Sequence, residues 1–359
     1  MRDAIAQSPA LTLAVGGFLI GLAFGILARS ANYCVMGAIS DWRLFGDITR
    51  LGATALAAAV AIIGAQGLNA SGVVDLTQSI YLSPRINWLG SLIGGGIFGA
   101  GMIYAGGCPS RALIRAGGGD LRAWVSLVTM AFAATVTLSG ILGEARVSLE
   151  RATAFDVRTL GLRSQAITDV VSAVSADAGW AVWAASAVVA LPLLIFAFSA
   201  AGVASRPLLV AAGIGVGLLV TAGWALSGLA ADDMALRPVS PLSLSFVKPV
   251  ADAVDWVQRS TALGLPGFGA ASVFGVVTGG AIAAWSSGEW RLAGFGDAPD
   301  FYRHLGGALA MGVGGVLGLG CTIGQGATGL STLAVQSILT CSAIIAGAVL
   351  ALRYLQRAV

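Results

Sequence analysis

Long stretches without charged residues are the feature that most constrains this chain. A helix needs about 20 predominantly apolar residues to cross the hydrocarbon core of a bilayer, and several stretches of the sequence reach or approach that length. Only 10% of the 359 residues are charged, whereas a soluble domain carries about 25%. The sequence therefore predicts an all-α polytopic membrane protein.

Nine membrane spans are predicted, and two longer connections, Glu144–Gly179 and Ala230–Phe268, carry charges of both signs. We expect these connections to hold surface-lying amphipathic helices, with DAVDWVQRSTALGL as a candidate. The N-terminal MRDAIAQSPA leads directly into a long apolar span and has no positively charged n-region, so no cleavable signal peptide is expected. The predicted spans are Leu11–Ala28, Leu51–Leu68, Trp88–Ala105, Leu121–Gly143, Trp180–Gly202, Leu208–Leu229, Gly269–Ser287, Leu305–Leu319 and Leu330–Leu352.

The distribution of arginines predicts the orientation of the chain. If the N-terminus lies outside, the segments between spans on the inner side carry most of the arginines, and the short outer segments carry only Arg2 and Arg85. Lys and Arg in short loops favour the cytoplasmic side, whereas long connections weigh less in this rule. We therefore expect an external N-terminus and a cytoplasmic C-terminus.

Two segments of the chain resemble each other. LGSLIGGGIFGAGMIYAGGCPSRALIRAGGG begins at Leu89 and LGGALAMGVGGVLGLGCTIGQGATG begins at Leu305, and each is a glycine-rich span that ends in Gly-Cys. The match pairs the third span with the eighth, and an offset of five spans reverses the direction of the chain. It predicts an inverted repeat of four plus one plus four spans, as in many transporters. The repeats are 11–143 and 208–352, joined by the linking span 180–202.

Three of the four cysteines, Cys34, Cys108 and Cys321, follow the predicted ends of spans. Glycines precede Cys108 and Cys321, so the backbone is expected to leave the helix there. Such backbone at membrane depth is tolerated only where it is buried in protein or lines a cavity. We therefore expect short re-entrant helices after these cysteines, and we interpret the three thiols as a candidate substrate pathway.

Residues beside the cysteines are expected to attract an anion. Pro109 suits the first position of a short helix, whose N–H groups at Ser110 and Arg111 would point toward Cys108. Free N–H groups and the helix dipole attract anions, and Asn32 is expected to cap a short helix that carries Cys34. The predicted supporting contacts are Asn32, Gly107, Pro109, Ser110, Arg111, Gly320, Thr322 and Gln325.

The remaining chemistry-bearing residues are given structural interpretations. Cys341 lies in the middle of the last predicted span and is interpreted as a buried small apolar side chain. His304, the single histidine, lies at a span boundary and is interpreted as an interface residue. The cysteines form no CxxC and no metal-like spacing, so no metal, cofactor or nucleic-acid partner is predicted. No proton relay is predicted either, because no Asp or Glu lies in the central part of a span.

The motifs ANYCVMGAISD, GGCPSRAL, GLGCTIGQGATGLSTLA and SFVKPVADAV resemble those of the YeeE/YedE family of bacterial inner-membrane proteins, which take up thiosulfate. The resemblance covers nearly the whole chain. It implies nine membrane-spanning helices with short re-entrant helices, an hourglass-shaped interior, and a thiosulfate path lined by Cys34, Cys108 and Cys321. It also suggests a cytoplasmic sulfurtransferase of the TusA type as a partner. Family members linked to other sulfur species or to selenium leave the substrate open.

Thiosulfate is a dianion with hard oxygens and one soft terminal sulfur. A neutral thiol is a weak hydrogen-bond donor, and conduction needs several weak sites rather than one strong site. This chemistry favours a transporter or channel for thiosulfate or a related sulfur oxyanion. A membrane thiol-redox or sulfurtransferase component with covalent cysteine intermediates stays open, although such a relay should need a reactive pair of cysteines. A third hypothesis is that the protein is a membrane subunit that only anchors a soluble partner.

Overall fold

The computed structural model describes residues 8–174, 178–200, 202–203, 205–231 and 240–358. Most of Met1–Ala10, with Arg2, lies outside these residues, as do parts of both long connections and Ala201 of the predicted span Trp180–Gly202. The described helices are α1 (Pro9–Ser30), α2 (Val35–Phe45), α3 (Thr49–Ala70), α4 (Trp88–Tyr104), α5 (Pro109–Gly117), α6 (Leu121–Leu138), α7 (Gly143–Thr153), α8 (Ile167–Val174), α9 (Ala178–Ser199), α10 (Pro207–Leu229), α11 (Val247–Leu263), α12 (Phe268–Ser286), α13 (Ala298–Leu317) and α14 (Val335–Ala358).

The prediction of an all-α polytopic membrane protein is confirmed, but the number of candidate spans differs. Among the described residues, eight helical segments are long and apolar enough to cross a membrane. The predicted span Leu305–Leu319 lies in α13, which is not one of the eight. Asp300, Arg303 and His304 occupy the first two turns of α13 and shorten its apolar part. The helix packs between α4 and α6.

Two predicted span boundaries are wrong for local reasons. The span Leu121–Gly143 ends at Leu138, and α7 begins after the turn that follows. The last helix begins at Val335 rather than Leu330, because residues 322–331 form a short helix of their own. A π-helix, Gly324–Gly329, occupies most of it, and Leu333 reverses the chain with φ +59°.

The connections contain helices, as expected, and a small sheet; whether the helices lie on the membrane surface stays a prediction. Helix α7 has no buried residue. Helix α11 covers the candidate DAVDWVQRSTALGL and is kinked at Arg259; it buries one face, while the ion pairs Lys248–Asp252 and Asp255–Arg259 lie on its exposed side. Strands β1 (Arg85–Ile86) and β2 (Phe155–Asp156) pair antiparallel and join the loop before α4 to the first long connection.

Glycines allow the helices to approach each other at backbone distance. Where α1 crosses α12, a Cβ at Gly21 or Gly25 would collide with backbone atoms of Ser272 or Val276. Small residues spaced four apart permit such close crossings in membrane proteins. Most glycines of these two helices therefore serve packing.

The same packing places two short helices in the interior. Helix α5 packs on α12, and the π-helix packs on α3. A strand-like bridge holds the turn after each short helix: Leu121 N–H donates to Ala293 O at 2.8 Å, and Ile167 N–H donates to Leu333 O at 3.0 Å. The segments that begin at Cys108 and Cys321 are thus fixed inside the helical bundle.

Candidate functional site

Cys34, Cys108 and Cys321 lie in one buried core, with relative exposures of 6%, 0% and 0%. The thiols of Cys34 and Cys108 are electrostatic neighbours, and Cys321 also lies within electrostatic reach of Cys108. Cys341, which was predicted to be buried, is only partly so, and its thiol neighbours the Cys321 side of the cluster. The structure therefore brings together the three cysteines that the sequence singled out.

Helix α5 positions Cys108 as the sequence predicted. Gly106 takes φ +66°, and Gly107 N–H donates to Met102 O at 3.0 Å, which ends α4. Cys108 is then the N-cap residue, and Pro109 is the first helical residue. The Cys108 Sγ lies 3.2 Å from Ser110 Oγ, and the backbone N–H of Arg111 also interacts with the thiol.

Cys34, rather than Asn32, caps the helix that follows it. The Cys34 Sγ accepts a hydrogen bond from Gly37 N–H at 3.3 Å, so the predicted capping role of Asn32 is wrong. Asn32 instead takes a left-handed conformation with φ +51°, which asparagine tolerates better than most residues. Its side-chain oxygen accepts from Arg111 Nη1 at 2.8 Å. This bond ties the Cys34 loop to the Cys108 helix.

Cys321 lies in a cradle of backbone N–H groups. Its Sγ accepts from Gly324 N–H at 3.2 Å, and the N–H groups of Phe246 and Ile323 also interact with it. Gly320 separates it from Leu319, whose φ of +57° is uncommon for a residue other than glycine. The chain thus leaves α13 sharply and points the start of the next helix at the thiol.

Thr322 and Gln325 behave differently from each other. The Thr322 hydroxyl is buried without a hydrogen-bond partner among the described residues, and it lies near the Cys108 thiol, so it can donate to a bound anion. Gln325 uses its amide nitrogen to donate to Gly318 O at 2.8 Å. Its role in this geometry is to hold the loop before Cys321.

Arg115 and Asp120 support the Cys108 loop and were not predicted. Arg115 donates to Gly106 O at 2.9 Å and to Asp120 Oδ2 at 2.6 Å, and Arg122 donates to Asp120 Oδ1 at 3.1 Å. Burial alone would raise the pKa of Asp120, but the hydrogen bonds from Arg122 and Arg115 lower it below the ordinary value of 3.8. The carboxylate therefore stays charged and fixes both arginines.

Two buried tyrosines adjoin the cluster and were also missed. Tyr33 directly precedes Cys34 and is 4% exposed. Tyr81, 6% exposed, lies near Ser245 and Cys321. The adjacency of Tyr33 to Cys34 was the available signal, whereas Tyr81 lies in a loop far along the chain from any cysteine motif.

The fold and the site define a polytopic membrane protein with buried thiols at the starts of short internal helices. The family model described as sulphur transport matches residues 30–350, and the chain belongs to that family. This confirms the family resemblance of the motifs. Over 354 residues the chain is 26% identical to the thiosulfate transporter TsuA of Spirochaeta thermophila, with 89% of this chain and 92% of that protein covered.

Two further relatives are from Escherichia coli K12. The thiosulfate transporter TsuA is 24% identical over 322 residues, covering 88% of this chain and 87% of its own length. The probable transporter YedE is 36% identical over 120 residues, covering 33% of this chain and 27% of its own length. The first of these similarities spans most of both chains, whereas the second is confined to a segment.

Proposed function

We propose that this protein transports thiosulfate, or a related sulfur oxyanion, into the cytoplasm along a path lined by Cys34, Cys108 and Cys321. The observation that carries the proposal is the single buried cluster that these thiols form, each at the start of a short internal helix. Membership in the sulphur transport family supports transport of a sulfur species. The two TsuA relatives, named as thiosulfate transporters, support the substrate.

The environment of the thiols suits an anion that is bound weakly and released to the next site. Backbone N–H groups at helix starts attract negative charge, and they face Cys108 and Cys321. The thiols and the free Thr322 hydroxyl add weak donors. A series of such contacts binds a dianion while allowing it to leave each site.

The architecture and orientation predicted from the sequence form part of the proposal. Matched helix contacts support the inverted repeats 11–143 and 208–352: α1 packs on α12 as α10 packs on α3, and α4 packs on α14 as α13 packs on α6. With an external N-terminus in the bacterial inner membrane, Cys321 lies toward the outside. Cys34 and Cys108 then lie toward the cytoplasm, where a TusA-type sulfurtransferase would receive the substrate.

A thiol-redox or sulfurtransferase activity is the second candidate function. The proximity of the Cys34 and Cys108 thiols favours it, because such chemistry needs a pair of neighbouring cysteines and the sequence has no CxxC motif. Mass spectrometry of the protein during thiosulfate turnover tests this reading. A persulfide or an internal disulfide that forms and decays at the rate of uptake would favour covalent chemistry over passage of the intact anion.

Uptake by liposomes that contain only the purified protein tests the primary proposal. Cys34→Ala, Cys108→Ala and Cys321→Ala should each abolish or sharply reduce uptake of labelled thiosulfate, because each removes one contact of the path. Cys341→Ala is the matched control and should transport normally. Normal uptake by Cys108→Ala and Cys321→Ala at equal protein content would contradict the proposed path.

A further inference from the structure

A cavity of about 680 Å³ opens beside the Cys108 helix. Five arginines and two carboxylates line it, which gives the lining a net charge of +3 when all of them are ionised. A cavity of this volume has room for water beside a bound anion, so the anion would keep much of its hydration. The charged lining residues are Arg29, Arg111, Arg115, Arg122, Arg291, Asp120 and Glu289.

The arginines of this wall are unequally neutralised. Asp120 engages Arg115 and Arg122, with nitrogen–oxygen distances of 2.6 and 3.1 Å. Arg29 pairs with Glu289 at 3.2 Å, but the side chain of Glu289 is 70% exposed, and such exposed pairs are weak.

Three of the arginines that line the cavity have no strong ion pair within the described part of the chain. Arg29 Nε is buried and has no hydrogen-bond partner among the described residues. Among the described residues, the side chain of Arg111 donates only to the neutral side chain of Asn32. Arg291 forms no ion pair within the described part of the chain. These guanidinium groups are therefore available to a ligand.

Arg111 connects the cavity to the thiols. Its side chain packs over Gly107, where an added Cβ would lie 3.5 Å from Arg111 Cγ. It also lies within electrostatic reach of the Cys34 thiol. The cavity thus adjoins the end of the thiol cluster at which Cys34 and Cys108 meet.

We propose that this cavity is a binding vestibule for a divalent sulfur oxyanion, held through its oxygens by Arg29, Arg111 and Arg291. Guanidinium groups form paired hydrogen bonds with such oxygens, and a cleft lined by one sign of charge concentrates counter-ions. The inference deepens the proposed function and rests on it. The vestibule recognises the charged oxygens and therefore also takes sulfate, whereas the thiols recognise the terminal sulfur.

Equilibrium binding of labelled sulfate and labelled thiosulfate tests the vestibule. The full chain is placed in nanodiscs of phosphatidylcholine, so that anionic lipid does not compete. The Arg111→Gln/Arg291→Gln variant should bind both anions at least roughly tenfold more weakly than wild type, since it loses two charged donors. Arg353→Gln/Arg357→Gln, which changes two exposed arginines outside the cavity, is the matched control and should bind as wild type.

A gain of binding excludes a misfolded variant as the explanation. Glu289→Gln releases Arg29 and should tighten sulfate binding roughly two- to fivefold, the range of an exposed ion pair. Added salt should weaken binding by wild type more than by the double arginine variant. A double variant that binds like wild type, or a Glu289→Gln variant that binds more weakly, would overturn the inference.

The experiments can contradict the proposed vestibule and the proposed thiol path independently of each other. Cys108→Ala should retain sulfate binding and lose thiosulfate uptake. If Cys108→Ala transports normally while the double arginine variant loses binding, the thiol path is wrong and the vestibule stands. If the cysteine variants lose uptake while the double arginine variant binds and transports as wild type, the vestibule alone is wrong.

Discussion

Replacing Gly117 with alanine tests whether the packing of α5 sets the position of Cys108. Gly117 ends α5 where this short helix crosses α12. A Cβ at this position would collide with Val277 O and lie 2.8 Å from Ala281 N. These are backbone atoms, so no side chain can turn away to relieve the contact. Helix α5 must move by on the order of 1 Å to restore ordinary van der Waals separation.

The expected magnitude follows from two opposing effects. Extra volume in a packed interior destabilises a protein by about 1–3 kcal/mol, and replacing a helical glycine with alanine recovers up to about 1 kcal/mol. The net destabilisation is therefore up to about 2 kcal/mol. The same displacement carries the Cys108 thiol away from Cys34 and Thr322. The loss of one substrate contact of about 1.4 kcal/mol lowers uptake about tenfold.

Gly96→Ala is the matched control, because Gly96 lies within α4 and nothing lies within 4 Å of its added Cβ. Thermal unfolding of both variants in detergent and thiosulfate uptake in liposomes are measured beside wild type. Gly117→Ala should unfold at a lower temperature and transport more slowly, while Gly96→Ala should match wild type or be slightly more stable. Equal unfolding temperature and uptake for the two variants would refute the argument that α5 is fixed by backbone contact.

Three further predictions concern the ion pairs of Asp120, the driving force for transport and the orientation of the chain in the membrane. Asp120→Asn should destabilise the protein by roughly 2–4 kcal/mol, since it leaves Arg115 and Arg122 without their carboxylate. Because the pKa of Asp120 is lowered from 3.8, the stability difference in denaturant titrations should be constant near neutrality and should shrink only as the pH falls below that value. In liposomes, entry of the dianion against an inside-negative potential costs about 4.6 kcal/mol per 100 mV, so an inside-positive potential should speed uptake; accumulation by a pH gradient alone, lost in His304→Ala, would contradict passive transport. In cells, an impermeant thiol reagent should label Ser71→Cys from outside and Ser287→Cys only after permeabilisation, and the reverse pattern would invert the proposed topology.

Local signals in the sequence located the short helices correctly. Paired glycines followed by Cys108 and Pro109 specify a break and a new helix start through backbone conformation alone, so neighbouring residues suffice to predict them. The same holds for Gly320 and Cys321. The count of spans was less accurate because α13 mixes a polar first half with an apolar second half. Packing between α4 and α6, which no local pattern reveals, buries one side of this helix in the bundle.

Roles that depend on tertiary contacts were not predictable from the sequence. Asn32 was expected to cap α2, but its actual partner is Arg111, far along the chain. His304 was expected at an interface, yet it is 4% exposed and lies 2.8 Å from Asp300 O. The proximity of Cys34 and Cys108 likewise joins two separate motifs, so the absence of a CxxC motif gave no guide to it.

The proposed repeat is asymmetric at the residues that matter most for the path. Cys108 and Cys321 occupy matching positions, and α2 and α11 match in their contacts, since α2 packs on α3 and α11 packs on α12. The residue that caps α2 is Cys34, whereas Phe246 precedes α11. Phe246 contacts the ring of Phe24, with 5.3 Å between ring centroids.

A substrate on the proposed path would therefore meet one thiol toward the outside and two toward the cytoplasm. This asymmetry affects how tightly the anion binds at each site and hence the rates of entry and exit. It does not supply a direction, because a passive path obeys the same equilibrium from both sides, whatever the affinities along it. Net uptake against an inside-negative potential then depends on a low internal concentration of the anion. Consumption of thiosulfate beside the arginine vestibule, rather than the arrangement of the thiols, would supply the direction of transport.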